Sequence, residues 1–190
     1  MYIFFDTETT GIPRNYKAPV TDLSNWPRVV QLAFVQTDAA GVEVAAAEVL
    51  IKPAGFTIPA DATRIHGITT ERALAQGVPL AGALGQFLVS LEAARVLVAH
   101  NISYDENVLG AEFLRAGLVN PLPARQRVCT MQAATNYCAL PGKYGFKWPT
   151  LAELHRKLFG AELQDAHSAL ADVRGCARCF FKLKALGVIG

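Results

Sequence analysis

A chain of 190 residues that is 52% hydrophobic and carries a formal net charge of +2 is long enough to bury a well-formed core, and a single domain over residues 1–190 is expected. The N terminus has no charged leader and meets Asp6 before the apolar core of a signal peptide could form, so a cytoplasmic rather than secreted protein is expected. Residues 73–91 carry no charge, but Gly77, Pro79, Gly82, Gly85, Gln86 and Ser90 interrupt them. A buried amphipathic helix starting near Pro79 explains that stretch better than a membrane span.

The first element is a short apolar strand over residues 2–5 that delivers Asp6 and Glu8, one threonine apart, followed by Thr9, Thr10 and Gly11. Side chains two apart on an extended strand share a face, so the two carboxylates project together. Their repulsion is relieved by a hard divalent cation bound through oxygen. An exposed turn after the strand is the competing reading, because Asp, Thr and Gly all favour turns.

Residues 12–27 then form a long loop with three prolines beside the acidic pair. Residues 28–38 and 42–52 are rich in β-branched and apolar side chains and are joined by Ala39, Ala40 and Gly41, the pattern of an antiparallel hairpin. Helical segments follow over 61–66, 70–76 and 79–93, and then a fully apolar strand over 95–99. Ser103 is placed to cap a helix that turns Val108, Leu109, Phe113 and Leu114 inward and stops at Gly117. Asp105 falls in its first turn, where a carboxylate also has a mundane role against the helix dipole. A short strand over 127–129 and helices over 131–138, 151–159 and 168–186 complete the chain. Three meandering strands followed by alternating helices and strands imply an α/β fold, a mixed five-stranded sheet flanked by helices on both faces.

Charge is unevenly placed. Residues 1–120 hold 8 basic and 12 acidic side chains, whereas residues 121–160 hold 6 basic and 1 acidic. That segregation suits an acidic cation site with basic elements nearby that meet a polyanion. Within the basic stretch, Lys143, Tyr144, Phe146, Lys147 and Trp148 interleave cations with rings, as in a nucleic-acid contact; an ordered surface loop is the alternative. Arg14, Tyr16, Lys17 and Trp26 of the long loop are candidates to guide a single strand. The C-x-x-C of Cys176 and Cys179 raises zinc, but it sits in a helical pattern without knuckle residues, so reduced core cysteines are the better reading.

Three short segments carry the chemistry in order: Asp6-x-Glu8; His100-Asn101-x-x-Tyr104-Asp105; and His167-x-Ala169-x-x-Asp172. In the last, Ala169, Leu170, Val173 and Ala177 define the buried stripe, and Asp172 lies beside it, where a charge wants a partner or a metal. Together the segments resemble the motifs of the DEDDh family of 3′-to-5′ exonucleases, which includes the proofreading epsilon subunit of bacterial DNA polymerase III, ribonuclease T and oligoribonuclease. Arg64-Ile65-His66-Gly67-Ile68-Thr69 resembles the family's stretch between the first two motifs.

The resemblance covers nearly the whole chain and implies a ribonuclease H-like fold. It also implies a metal site made of Asp6, Glu8, Asp105 and Asp172, holding two Mg²⁺ or Mn²⁺ ions roughly 4 Å apart, with His167 as general base. Thr7, Gly11, His66 and Tyr104 would lie near the terminal nucleotide, Tyr104 either stacking on it or packing beneath its own helix. The implied reaction removes 5′-nucleoside monophosphates from the 3′ end of DNA, single-stranded or frayed. The alternatives are an exoribonuclease and a proofreading subunit acting through a polymerase or repair partner.

Overall fold

The computed structural model describes residues 1–163 and 168–190. Strands β1 (Tyr2–Thr9), β2 (Val29–Thr37) and β3 (Glu43–Leu50) form an antiparallel meander, and β4 (Val96–Ala99) and β5 (Gln126–Cys129) add in parallel on the other side of β1. The sheet order is β3-β2-β1-β4-β5, which makes β1 the central strand. All nine residues of β2 are buried, the pattern of a strand covered on both faces. This is the mixed, helix-flanked sheet expected from the strand order.

Alternation along β1 divides the molecule. Ile3 and Phe5 face one core with Ala83, Leu84, Phe87 and Leu91 of α3 (Leu80–Ala93) and Val108, Leu109 and Phe113 of α4 (Ile102–Arg115). Phe4 faces the other, with Leu154 of α7 (Leu151–Phe159) and Val173, Phe180 and Leu183 of α8 (Ala169–Ala185). The short helices α1 (Ala60–His66) and α2 (Thr70–Gln76) close a smaller cluster around Val30, Ile58 and Ile68. Burial of one face of α3 accounts for the uncharged stretch that contains it, and among the described residues no helix is long and apolar enough to cross a membrane.

Several boundaries differ from the sequence reading. β1 runs to Thr9 rather than Phe5, because Asp6 and Glu8 keep their backbone pairing to Ala33 and Gln31 despite their charge. Helix α4 begins one residue before Ser103: Asn101 adopts the left-handed conformation (φ 72°) at its N-cap, and no side chain caps it. The expected helix over 131–138 is two single turns, α5 (Thr130–Ala133) and α6 (Thr135–Cys138), and the Thr135 hydroxyl donates back to the Met131 carbonyl at 3.0 Å. Residues of the basic-aromatic stretch form a two-stranded ladder, β6 (Pro141–Gly142) with β7 (Gly145–Phe146).

The long loop is fastened to α4 by charge. Glu112, fully buried, accepts from Arg28 Nε (2.8 Å), Arg115 Nη1 (3.0 Å) and the Val29 amide (3.0 Å) through its Oε1. Arg115 Nη2 donates in turn to the carbonyls of Leu23 and Trp26, both at 2.6 Å. Close approach also needs Gly110: a Cβ there would stand 2.5 Å from Asn120 Nδ2 and 3.0 Å from Val20. Trp26, expected to meet substrate, is instead buried at 3% exposure with its indole N–H donating to the Pro19 carbonyl. An indole N–H needs one acceptor and the ring gains most by full burial, and this loop supplies both.

Removing one member of a buried ion cluster leaves the others uncompensated. Glu112→Ala should therefore lower unfolding free energy by about 3–5 kcal/mol. Chemical denaturation measures this, and a loss below about 1 kcal/mol would contradict the stapling role.

Candidate active site

The site forms where β1 outruns its parallel neighbour. The ladder between β1 and β4 ends at Phe4–Val98, and farther along β1 the Thr7 amide donates to Asp105 in the first turn of α4 instead. The bond measures 3.0 Å to Asp105 Oδ1, and the Thr7 hydroxyl donates to the same oxygen at 2.7 Å. Thr7 and Asp105 are both buried. Strand and helix are thus locked together at the residue that carries the second acidic motif.

Asp6 and Glu8 alternate with Thr7 and lie on the Phe4 side of the sheet, the side covered by α8. Burial pushes the Asp6 carboxyl well above the usual carboxylate range, and the charges of Asp105, Glu8 and Asp172 push it further. Asp105 is raised to about 7 by burial; the two Thr7 hydrogen bonds oppose the shift and Glu8 adds to it. The charges of Asp105, Glu8 and Asp172, the other acidic residues named from the sequence, all bear on Asp6, which is thus the centre of mutual repulsion. Among the described residues no three His, Cys, Asp or Glu side chains stand close enough together to hold a metal ion as they are.

An all-oxygen donor set of this charge suits hard divalent cations. Asp105 has one oxygen engaged by Thr7, which leaves the other for a ligand. His167 lies outside the described residues. Ser168, which follows it, is the N-cap of α8 and accepts the Asp172 amide through its carbonyl at 2.9 Å.

Around the strand end the remaining named residues form a clamp. The Tyr104 hydroxyl donates to the Gly11 carbonyl at 2.7 Å and shares a 2.6 Å hydrogen bond with the Thr9 hydroxyl, and burial raises its pKa. That ring packs against the α3–α4 core with its polar end committed to the backbone turn. His66 ends α1, where Gly67 takes the left-handed conformation (φ 71°) that turns the chain. Its Nδ1 accepts the Ile68 amide at 3.1 Å, which assigns the proton to Nε2, a buried atom beside the Thr9 backbone with no hydrogen-bond partner. Burial lowers the His66 pKa, so the ring is held neutral with one donor aimed at the acidic strand's end.

Two features were absent from the sequence reading. His100, quoted only as part of a motif, bridges Thr130 Oγ1 (3.0 Å) and the Pro149 carbonyl (2.9 Å), and so ties the entry to α7 against the end of β4. The Glu112 cluster was also missed, although a glutamate between Ala111 and Phe113 on an inward face signals a buried charge. Lys147, a candidate strand contact, is in part engaged by Glu153 at 2.6 Å. Cys138, Cys176 and Cys179 are buried, and burial raises their thiols, Cys179 to about 12.

A central strand bearing two acids, a third on the following crossover helix and a fourth on the last helix define the ribonuclease H-like exonuclease architecture. The chain belongs to the RNase T family of exonucleases, metal-dependent 3′-to-5′ hydrolases of the DEDD group, whose profile matches residues 3–180. It is 30% identical over 177 residues to the protein described as "Uncharacterized exonuclease CP81" of Escherichia phage 186, with 90% of this chain and 82% of that one aligned. The PolC-type DNA polymerase III of Streptococcus suis is 27% identical over 95% of this chain, which spans only 11% of the polymerase.

Among solved structures, E. coli exonuclease I in complex with a dA16 oligonucleotide superimposes with a TM-score of 0.72 at 23% identity over 97% of the chain. This chain spans 40% of exonuclease I. Exonuclease X in complex with 5′-overhanging duplex DNA gives 0.67 at 23% identity, covering 98% of this chain and 93% of that one.

Raised carboxyl pKa values have a definite sign. For Asp105 the protonated form fits the fold better, so its contribution to stability is fully present below about 4, its unfolded value, and is lost as pH rises through about 7. Asp105→Asn keeps an oxygen for both Thr7 donors and cannot ionise. In EDTA its melting temperature should exceed that of the parent at pH 8.5, by the equivalent of a few kcal/mol in order of magnitude, and the two should converge near pH 4. A constant difference across that range would contradict the shift.

Proposed function

We propose that the chain, acting as one exonuclease domain, hydrolyses the terminal phosphodiester at the 3′ end of DNA, single-stranded or frayed, and releases 5′-nucleoside monophosphates. The observation that carries the reading is the concentration of repulsion on Asp6, which faces three further carboxylates at a buried strand end. No structural role rewards such a cluster, whereas cation binding relieves it. The DNA preference is supported by the oligonucleotide and duplex complexes of exonuclease I and exonuclease X.

Two Mg²⁺ or Mn²⁺ ions would supply Lewis-acid stabilisation of the attacking and leaving oxygens. Asp6 would serve both; Glu8 and Asp172 would complete one position and Asp105 the other. His167 would act as the general base, a neutral imidazole accepting the proton of the attacking water. Thr7 holds Asp105 in register. Tyr104 holds the turn at Gly11. His66 would lie near the terminal nucleotide at the end of the acidic strand.

The PolC relationship supports a second setting for the same chemistry, beside a polymerase that supplies the 3′ end. Incubation of 3′-end-labelled DNA and RNA oligomers of one sequence with Mg²⁺ tests the proposal. Mononucleotide release from DNA is expected, with loss in EDTA and a decline of about a thousandfold or more in Asp6→Ala, the equivalent of several kcal/mol. Faster release from RNA would replace DNA by RNA as substrate. No release from either, or full activity in Asp6→Ala, would refute the enzyme.

A further inference from the structure

Between α6 and α7 the chain runs out into an arm that carries three of the protein's large exposed rings. Tyr144 is 92% exposed, Trp148 61% and Phe146 54%. A ladder of two residues per strand is marginal unaided, and here Lys147 N–H extends it to the Leu140 carbonyl at 2.9 Å. The base of the arm is firm: Thr150 and Glu153 form a capping box on α7, and Lys147 pairs with Glu153. His100 Nε2 and the Pro149 carbonyl, 2.9 Å apart, bind that base to the end of β4. Residue 100 is followed directly by the turn into α4 and Asp105, so the base of the arm is held to the turn that leads to the acidic site.

Three exposed rings on so short a segment are not explained by the fold, since the hairpin packs none of them into either core. Cations lie among them: Lys143 Nζ sits 5.1 Å from the Tyr144 ring centre, and the arm belongs to a stretch, residues 121–160, with 6 basic and 1 acidic side chain. Rings supply faces on which any base can stack, and cations supply partners for phosphates. Sequence-tolerant contact is what an enzyme needs if its substrate must advance by one nucleotide after each cut.

We infer that Tyr144, Phe146 and Trp148 form a stacking platform for single-stranded nucleic acid, holding the nucleotides on the 5′ side of the one being removed. This rests on the exonuclease reading above and adds where the rest of the strand lies. A protein partner is the other occupant such rings would suit, but interleaved lysines and the basic surroundings favour a polyanion.

Tyr144→Ala, Trp148→Ala and their double variant test it, alongside Tyr144→Phe and Trp148→Phe. All are surface changes, and their folding is checked by melting temperature. Two readouts are used: anisotropy of a fluorescein-labelled single-stranded 12-mer in EDTA, and the ratio of kcat/KM on the 12-mer to that on a dinucleotide in Mg²⁺.

Each ring removed should weaken 12-mer binding about tenfold, as expected for loss of one stacked base, and the double variant should lower the kcat/KM ratio by at least as much. The phenylalanine variants should restore most of both. Unchanged 12-mer binding in the double variant would overturn the platform, including the case in which the rings seat a protein. Equal losses on 12-mer and dinucleotide would overturn it as well, because the arm would then act on the site itself. Failure of the parent to cut either substrate would refute the exonuclease reading, while the binding arm would still decide the platform.

Discussion

The bond from Thr7 to Asp105 is the contact on which the site depends. Without it the end of β1 and the start of α4 are two loose termini, each with polar groups that burial would leave unsatisfied. With it, one carboxylate oxygen satisfies a backbone donor and a hydroxyl, and the helix that carries Asp105 is set in register against the strand that carries Asp6 and Glu8. An isolated buried carboxylate would shed its charge, and here burial does raise Asp105. Two donors on one oxygen temper that shift and hold the group in place. Repulsion can then accumulate on Asp6 without the site simply opening.

A second layer of constraint keeps the strand end from fraying. Tyr104, from the same turn of α4, closes on Thr9 and Gly11, and the long loop that leaves Gly11 returns to the helix through Arg115 and Glu112. Arg28 belongs to both systems: its backbone pairs with Thr10 while its guanidinium meets Glu112 and lies 4.3 Å from the Phe56 ring centre. Loop, strand end and helix are therefore tied into one hydrogen-bonded unit. The loop between the first two strands is long because it has to reach α4, and it is rich in internal hydrogen bonds, such as the pair between Asn15 and Asn25.

Periodicity made most elements legible. Strands β2 and β3, helix α3 and the last helix follow directly from runs of apolar residues at spacings of two or of three and four. The acidic residues were legible as a set, because their order and spacing are constrained by chemistry rather than by packing. What sequence hid was partnership across long separations. Nothing local tells that Trp26 turns inward to Pro19 rather than outward to a ligand, since an aromatic in a proline-rich loop suits either place. Nor does Thr7 announce that its hydroxyl and amide converge on a carboxylate 98 positions away. Nor does sequence show that Asn101 contributes a left-handed backbone turn, which asparagine tolerates better than most residues.

The outer edge of the sheet has a bearing on its centre. Among the described residues β3 has no strand beyond it, and an uncovered edge invites pairing with another chain. Two of its glutamates engage the last helix: Glu48 accepts the Leu170 amide at 3.1 Å, capping a helix whose own Ser168 side chain does not, and Glu43 forms a two-pronged ion pair with Arg174. Asp172 lies between those two anchor points in sequence. Protection of the edge and the placement of Asp172 are consequently tied to the same pair of side chains. A change at either glutamate would therefore act twice, at the margin of the sheet and at the start of the helix that carries Asp172.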